Sequence, residues 1–183
     1  LVMKPNNLAV WYTAVNGNFY RSVDTGNTWA LVRTGLPSTS IQRGALAVSP
    51  DQPDWVYFLV SNSNSAFLGL YRSIDSGATF STRATSPNLL DWGCIPTGTS
   101  GQGWYDLALA CNPQNANIVH VGGVNAFFSI DGGQTFTISG HWVGGPNNCN
   151  SSYLHADQHV FEYNPHNKLL FVGNDGGVFY KKA

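Results

Sequence analysis

Apolar residues in this chain come in short runs, and polar turn residues separate them. The runs "GALAVS" (44–49), "WVYFLV" (55–60), "YDLALAC" (105–111), "NIVHVGG" (117–123) and "LLFVGN" (169–174) either alternate or are continuously apolar. Clusters of Gly, Asn, Pro or Asp bound each of them. This is the pattern of many short strands, and the 3.6-residue period of an amphipathic helix is nearly absent. The pattern predicts an all-β chain.

Internal self-similarity refines that expectation. The pattern Ser-x-Asp-x-Gly-x-Thr-aromatic occurs three times, as "SVDTGNTW" (22–29), "SIDSGATF" (73–80) and "SIDGGQTF" (129–136). Each copy follows an aromatic-rich strand, "GNFYR", "LGLYR" or "VNAFF", and each strand has a Pro-containing turn upstream, at Pro5, Pro50 and Pro113. A fourth Pro turn, at Pro165, leads into "LLFVGNDGGVFYKKA". A repeat of this kind marks stacked or radially arranged units.

The chemistry of the octapeptide suits a hairpin lock. Asp24, Asp75 and Asp131 can accept backbone N–H groups of their own turns. Gly26, Gly77 and Gly133 supply the positive φ of the turn. Trp29, Phe80 and Phe136 are expected to enter the core. The three aspartates are therefore read as structural, not as catalytic acids or calcium ligands.

These octapeptides resemble the Asp-box (BNR) repeats of sialidases, sortilin-type receptors and xyloglucanase-like glycosidases. The segments "GQGWYDLALACNP", "YLHADQHVFEYNP" and "LLFVGNDGGVFY" are further similar to large secreted bacterial proteins with sortilin-like propellers, often type IX secretion substrates of the Bacteroidota. The resemblance implies an all-β, Asp-box β-propeller segment of about three and a half four-stranded blades, an incomplete ring. Its repeat units are approximately 1–40, 41–90, 91–145 and 146–183, with innermost strands near 44–49, 105–111 and 157–163. Fewer than four blades do not close a propeller, and open blade edges favour association. The expected partners are thus the remaining blades of a parent protein, or a complementing chain. The opening "LVMKPNN" is read as mature or truncated sequence rather than a leader.

Composition narrows the functional classes. With 183 residues the chain is long enough for one cored domain, and it is 43% hydrophobic but only 10% charged. A net charge of -1 with nine scattered Lys and Arg offers no electrostatic footprint for nucleic acid or an anionic membrane. No apolar run approaches the ~20 residues of a membrane span. Of the three cysteines, Cys111 falls within an inner strand and reads as a small buried hydrophobe. In the propeller that the resemblance implies, Cys94 and Cys149 occupy neighbouring loops on one face, and a Cys94–Cys149 disulfide is the expectation, two free loop thiols the alternative. The disulfide fits a secreted, cell-surface setting.

The stretch "YLHADQH" places His155, Asp157 and His159 at alternate positions. On an extended strand they share one face but span roughly 13 Å, too far to converge on one ion. No metal and no cofactor is assigned. If Pro165 turns a hairpin, Asp157 lands opposite Asp175, with Cβ atoms ~5 Å apart. Trp104, Tyr105 and Asp106 lie at the equivalent place one blade earlier and add an aromatic platform, with Trp142 as a further stacking residue.

Three readings of this mouth follow. His and Asp side chains brace the loops; or Trp104, Tyr105, Asp106, His155, Asp157, His159 and Asp175 bind a glycan or protein; or Asp157 and Asp175 serve as acid and nucleophile of a glycoside hydrolase acting on a β-glucan or xyloglucan. Arg21, Arg33, Arg43, Arg72 and Arg83 show no sialidase-type carboxylate clamp. The favoured expectation is a binding or scaffold module, enzymatic activity being uncertain. A purely structural repeat in a surface or secretion-associated assembly is the remaining alternative.

Overall fold

The computed structural model describes residues 1–144 and 149–181. Sixteen strands form four sheets, and no helix occurs among the described residues. The first sheet contains β1 (Val2–Met3), β2 (Trp11–Val15), β3 (Asn18–Ser22) and β4 (Ala30–Leu31). The second contains β5 (Ile41–Ser49), β6 (Gln52–Asn62), β7 (Phe67–Ser73) and β8 (Ser81–Ala84). The third holds β9 (Ala108–Asn112), β10 (Asn115–Gly122), β11 (Ala126–Ser129) and β12 (Thr137–His141), with β13 (Ser152–Tyr153) added parallel to β12. The fourth holds β14 (Gln158–Tyr163), β15 (Leu170–Asn174) and β16 (Gly177–Lys181).

Apart from the parallel β12–β13 pair, consecutive strands within each sheet pair antiparallel, because their connections are too short for a crossover. Asn16 and Gly17, both at positive φ (48° and 70°), make the tight β2–β3 turn. The sheets then stack face to face. The run Val56-Tyr57-Phe58-Leu59-Val60 of β6 is wholly buried, and its two faces serve different cores. Val56, Phe58 and Val60 pack with Tyr12, Phe19 and Phe80 toward the first sheet. Tyr57 and Leu59 pack with Leu109, Val119 and Val121 toward the third. A third cluster, including Ala108, Ala126, Phe161 and Leu170, joins the third and fourth sheets. A strand buried on both sides explains why "WVYFLV" is apolar without alternation.

The innermost strand of every sheet lines one apolar cavity of about 370 Å³, with Val2, Leu46, Leu109, Cys111, Phe161 and Tyr163 on its wall. The four sheets are thus arranged as propeller blades around a central channel. Cys111 is buried there, and burial pushes its thiol up to about 12, so it packs as an unreactive hydrophobe.

The three octapeptides adopt one hydrogen-bond pattern. Ser22, Ser73 and Ser129 each donate Oγ–H to the carboxylate two residues on, at 2.7 Å. The same oxygens accept the N–H of Gly26, Gly77 and Gly133 at 2.8–2.9 Å. The Thr28, Thr79 and Thr135 hydroxyls donate to the second carboxylate oxygen at 2.5–2.6 Å. Donors from Thr28 and Ser22 hold Asp24 down to about 2. At Asp75, partial burial pushes upward, but the Thr79 and Ser73 hydroxyls and nearby N–H groups outweigh it, again to about 2. These carboxylates are fully engaged within their own turns. Ser73→Ala removes a buried acceptor from the Gly77 N–H, and its expected cost is ~1–3 kcal/mol. Urea denaturation of this variant checks the figure; an unchanged midpoint would contradict the lock.

Two expectations need correction. Phe80 is buried and Phe136 packs against the core, but Trp29 remains 37% exposed, its indole N–H turned back to Gly26 O at 3.0 Å. Phe80 and Phe136 are each covered by the preceding blade, and the first blade has none beside that flank among the described residues. Residues 152–153, assigned to the fourth repeat unit, instead pair with β12 of the third. The chain follows the outermost strand before it turns back to the channel.

Candidate functional site

The long connections 85–107 and 142–157 lead from an outer strand back to the channel and meet on one face. The first is internally organised. Asn88 Oδ1 accepts the Phe67 N–H at 2.8 Å while its Nδ2 donates to Gly98 O and Ser100 O. Asp91 accepts the N–H groups of Trp92, Gly93 and Gly98. Leu89 and Leu90 anchor the segment with no exposed surface. Cys94 and Cys149 form a disulfide between the two connections, with Cα atoms 5.3 Å apart. Beside it, Trp142 donates its indole N–H to Trp92 O at 3.1 Å, and both indoles are partly exposed.

Nearer the channel, Trp104 is 62% exposed. Its ring lies 5.4 Å from that of Tyr105, and Tyr105 stands edge-on to His159 at 4.9 Å. The Tyr105 hydroxyl donates to both Asp175 oxygens, at 3.0 and 3.1 Å. His159 Nε2 approaches Asp175 Oδ1 at 2.7 Å. These two donors, His159 first, lower the Asp175 pKa and keep it ionised. Arg43 on β5 donates to the carbonyls of Trp104 and Tyr105, which fixes the platform.

Asp157 is not opposite Asp175, as an unbroken hairpin register would have it. The last ladder pair is Gln158 with Asn174, so the strand begins one residue later. Asp157 has φ of 68°, a left-handed conformation that Asp tolerates and that swings its side chain off the pleat. The ladder also skips a residue between Gln158 and Val160. That bulge frees His159 from the register and aims it at Asp175. Asp157 meets Asp106 instead, within hydrogen-bonding reach. Asp106 has no exposed surface, and three oxygens of this pair have no donor. Burial first, and then the Asp157 charge and hydrogen bond, push Asp106 up to about 8. At neutral pH Asp106 keeps its proton and can donate it toward Asp157.

The site residues therefore fall into two adjoining groups. Tyr105, His159 and Asp175 form one, with Trp104 beside them; Asp106 and Asp157 form the other. His155 sits over Gly176, where a β-carbon would lie 2.4 Å from the imidazole.

No protein-family model matches the chain, and neither does any curated protein. Solved structures do resemble it. An ancestral GH74 enzyme matches with a TM-score of 0.61 at 17% identity, over 98% of this chain and 22% of the other. The extracellular domain of a hybrid two-component system from B. thetaiotaomicron matches with 0.63 at 10% identity, over 95% and 20%. An auxiliary nutrient binding protein from Bacteroides thetaiotaomicron matches with 0.59 at 13% identity, over 98% and 47%. The fold is that of a β-propeller. The chain spans between about a fifth and a half of these structures' lengths.

Sequence reasoning missed Arg43 as the clamp of the platform. It also missed Gln158, whose fully buried amide donates to Val124 O and His155 O and accepts from Asn174. A glutamine beside the "HADQH" alternation carries no signal of burial. Trp92 was likewise unmarked, since it lies in a loop without periodicity.

Proposed function

We propose that this propeller is an extracellular binding module whose loop face takes a glycan. The observation that carries the reading is Trp104, an exposed ring fixed beside the Tyr105–His159–Asp175 hydrogen-bonded group. A sugar ring stacks its apolar face on an indole while its hydroxyls bond to charged and polar neighbours. Asp175 is an ionised acceptor on the exposed turn between β15 and β16. The disulfide supports an oxidising, extracellular compartment. The octapeptide geometry supports membership of the Asp-box propellers, and the resemblance of the segments around Trp104 and His155 supports their secreted sortilin-like branch.

Isothermal titration with oligosaccharides of β-glucan and xyloglucan tests this. Saturable binding is expected, weakened about ten-fold in Trp104→Ala, or ~1.4 kcal/mol. Equal binding by the variant, or none by the unaltered protein, would contradict it.

The alternative is part of a glycoside hydrolase. It draws on Asp106, a carboxyl that keeps its proton at neutral pH as a general acid must. Against it, Asp106 is sealed from solvent, and it is closer to Asp157 than the ~5–5.5 Å that a retaining pair needs. Reducing-sugar release from the same glycans, abolished by Asp106→Asn, would favour this alternative.

A further inference from the structure

The disulfide that ties the two long connections has a third group against it. His141, at the end of β12 and almost fully buried, points Nε2 at Cys94 Sγ from 3.9 Å. Ligand atoms of Cys94, His141 and Cys149 all lie within 4.8 Å of one another. Nδ1 of the same ring faces the main chain of Val143, 3.1 Å from its N and 3.4 Å from its O. A half-exposed pair of sulfurs with a buried, main-chain-oriented imidazole is more than a cross-link requires.

We infer that Cys94, Cys149 and His141 form a two-state clasp: a disulfide when oxidised, and a Cys₂His site for a zinc-class ion when reduced. The dimensions fit. A tetrahedral zinc with Zn–S near 2.3 Å and Zn–N near 2.05 Å places sulfur and nitrogen ~3.6 Å apart and the two sulfurs ~3.8 Å apart. The Cys94–His141 approach already matches the first value. Breaking the S–S bond lets the sulfurs separate to the second. In the disulfide state the Val143 N–H donates to Nδ1 at 3.1 Å and the ring proton sits on Nε2. Metal uptake moves that proton to Nδ1, where the Val143 carbonyl 3.4 Å away accepts it, and so leaves the Nε2 lone pair for the metal. Cys94 is exposed, so reductant and ion reach the site from solvent.

The chemistry balances with a dithiol as reductant. It gives two electrons and two protons to the Cys94–Cys149 bond and becomes a disulfide itself. Metal uptake then releases both thiol protons, and the imidazole enters neutral. Either state keeps the Trp92 and Trp142 connections together, so the clasp holds that part of the face across a change of redox conditions.

Cobalt titration after reduction tests this. Reduced, desalted protein under anaerobic conditions is expected to bind one equivalent of Co²⁺, with thiolate-to-metal charge-transfer bands and intense tetrahedral d–d bands, which Zn²⁺ abolishes. His141→Ala and His141→Gln are expected to lose the tetrahedral bands while still re-forming the disulfide on oxidation, which also shows that they fold. Identical cobalt spectra in these variants would overturn the site, as would no cobalt binding by the reduced unaltered protein. A reduced protein whose sheet circular dichroism collapses, and is not restored by metal, would overturn it too.

Discussion

Asp106→Asn is expected to make the protein more stable at pH 8 and to leave it little changed near pH 4. The folded protein holds the Asp106 proton up to about pH 8, whereas an unfolded chain releases it near 4. Between those values the folded state binds more protons, so stability falls as pH rises. Keeping this carboxyl buried costs up to about 4 kcal/mol at pH 7. Asparagine has no charge to desolvate, and its amide can donate to Asp157 as the protonated acid does. Urea denaturation of both proteins from pH 5 to 8 measures the effect, and the difference between the two curves removes the contributions of other carboxylates. Midpoints that diverge with rising pH, the variant above, are the expected outcome. Parallel curves would show that Asp106 does not hold a proton in the folded protein.

Leu90→Ala carries the second large effect. Leu90 has no exposed surface and underlies the connection that bears the aromatic platform. The backbone rests against it closely: a β-carbon at Gly103 would lie 2.9 Å from Leu90 Cδ1, and one at Gly123 would lie 3.0 Å from Cδ2. At both positions an added methyl would press on the leucine, and at Gly103 on Ser61 Cβ as well, at 2.6 Å. Truncation leaves a cavity, at an expected cost of ~2–5 kcal/mol. Gly103 immediately precedes Trp104, so the same change is expected to weaken glycan binding by loosening the platform. A loss under 1 kcal/mol would contradict the packing argument. A large loss with unchanged affinity would separate the anchor from the site.

The architecture was legible in the sequence wherever a feature depends on neighbouring residues. The three octapeptides specify their own turns through bonds within a few residues, so their sequence identity became identical geometry. The repeat register that the Asp-box resemblance implies placed β5, β9 and β14 close to where they occur. Cys94 and Cys149 were paired because the blade order puts their loops side by side. The site was less legible, since it depends on contacts between blades. Counting along an unbroken hairpin put Asp157 against Asp175. A left-handed Asp157 and a bulge at His159 send the two carboxyls to different partners. Neither departure has a signature in "LHADQHVFEY", because Asp tolerates a left-handed turn without requiring one. Trp29 departed for the same kind of reason: its burial requires a neighbouring blade, not a property of its own octapeptide.

We propose the loop face around Trp104 and Asp175 as the ligand-binding surface of this protein. Hydrogen–deuterium exchange with and without a saturating β-glucan or xyloglucan oligosaccharide tests it most directly. New protection confined to residues 103–106, 155–159 and 175–177 is the expected result. Protection confined to the opposite face, at the turns 22–29, 73–80 and 129–136, would contradict it, as would no change anywhere.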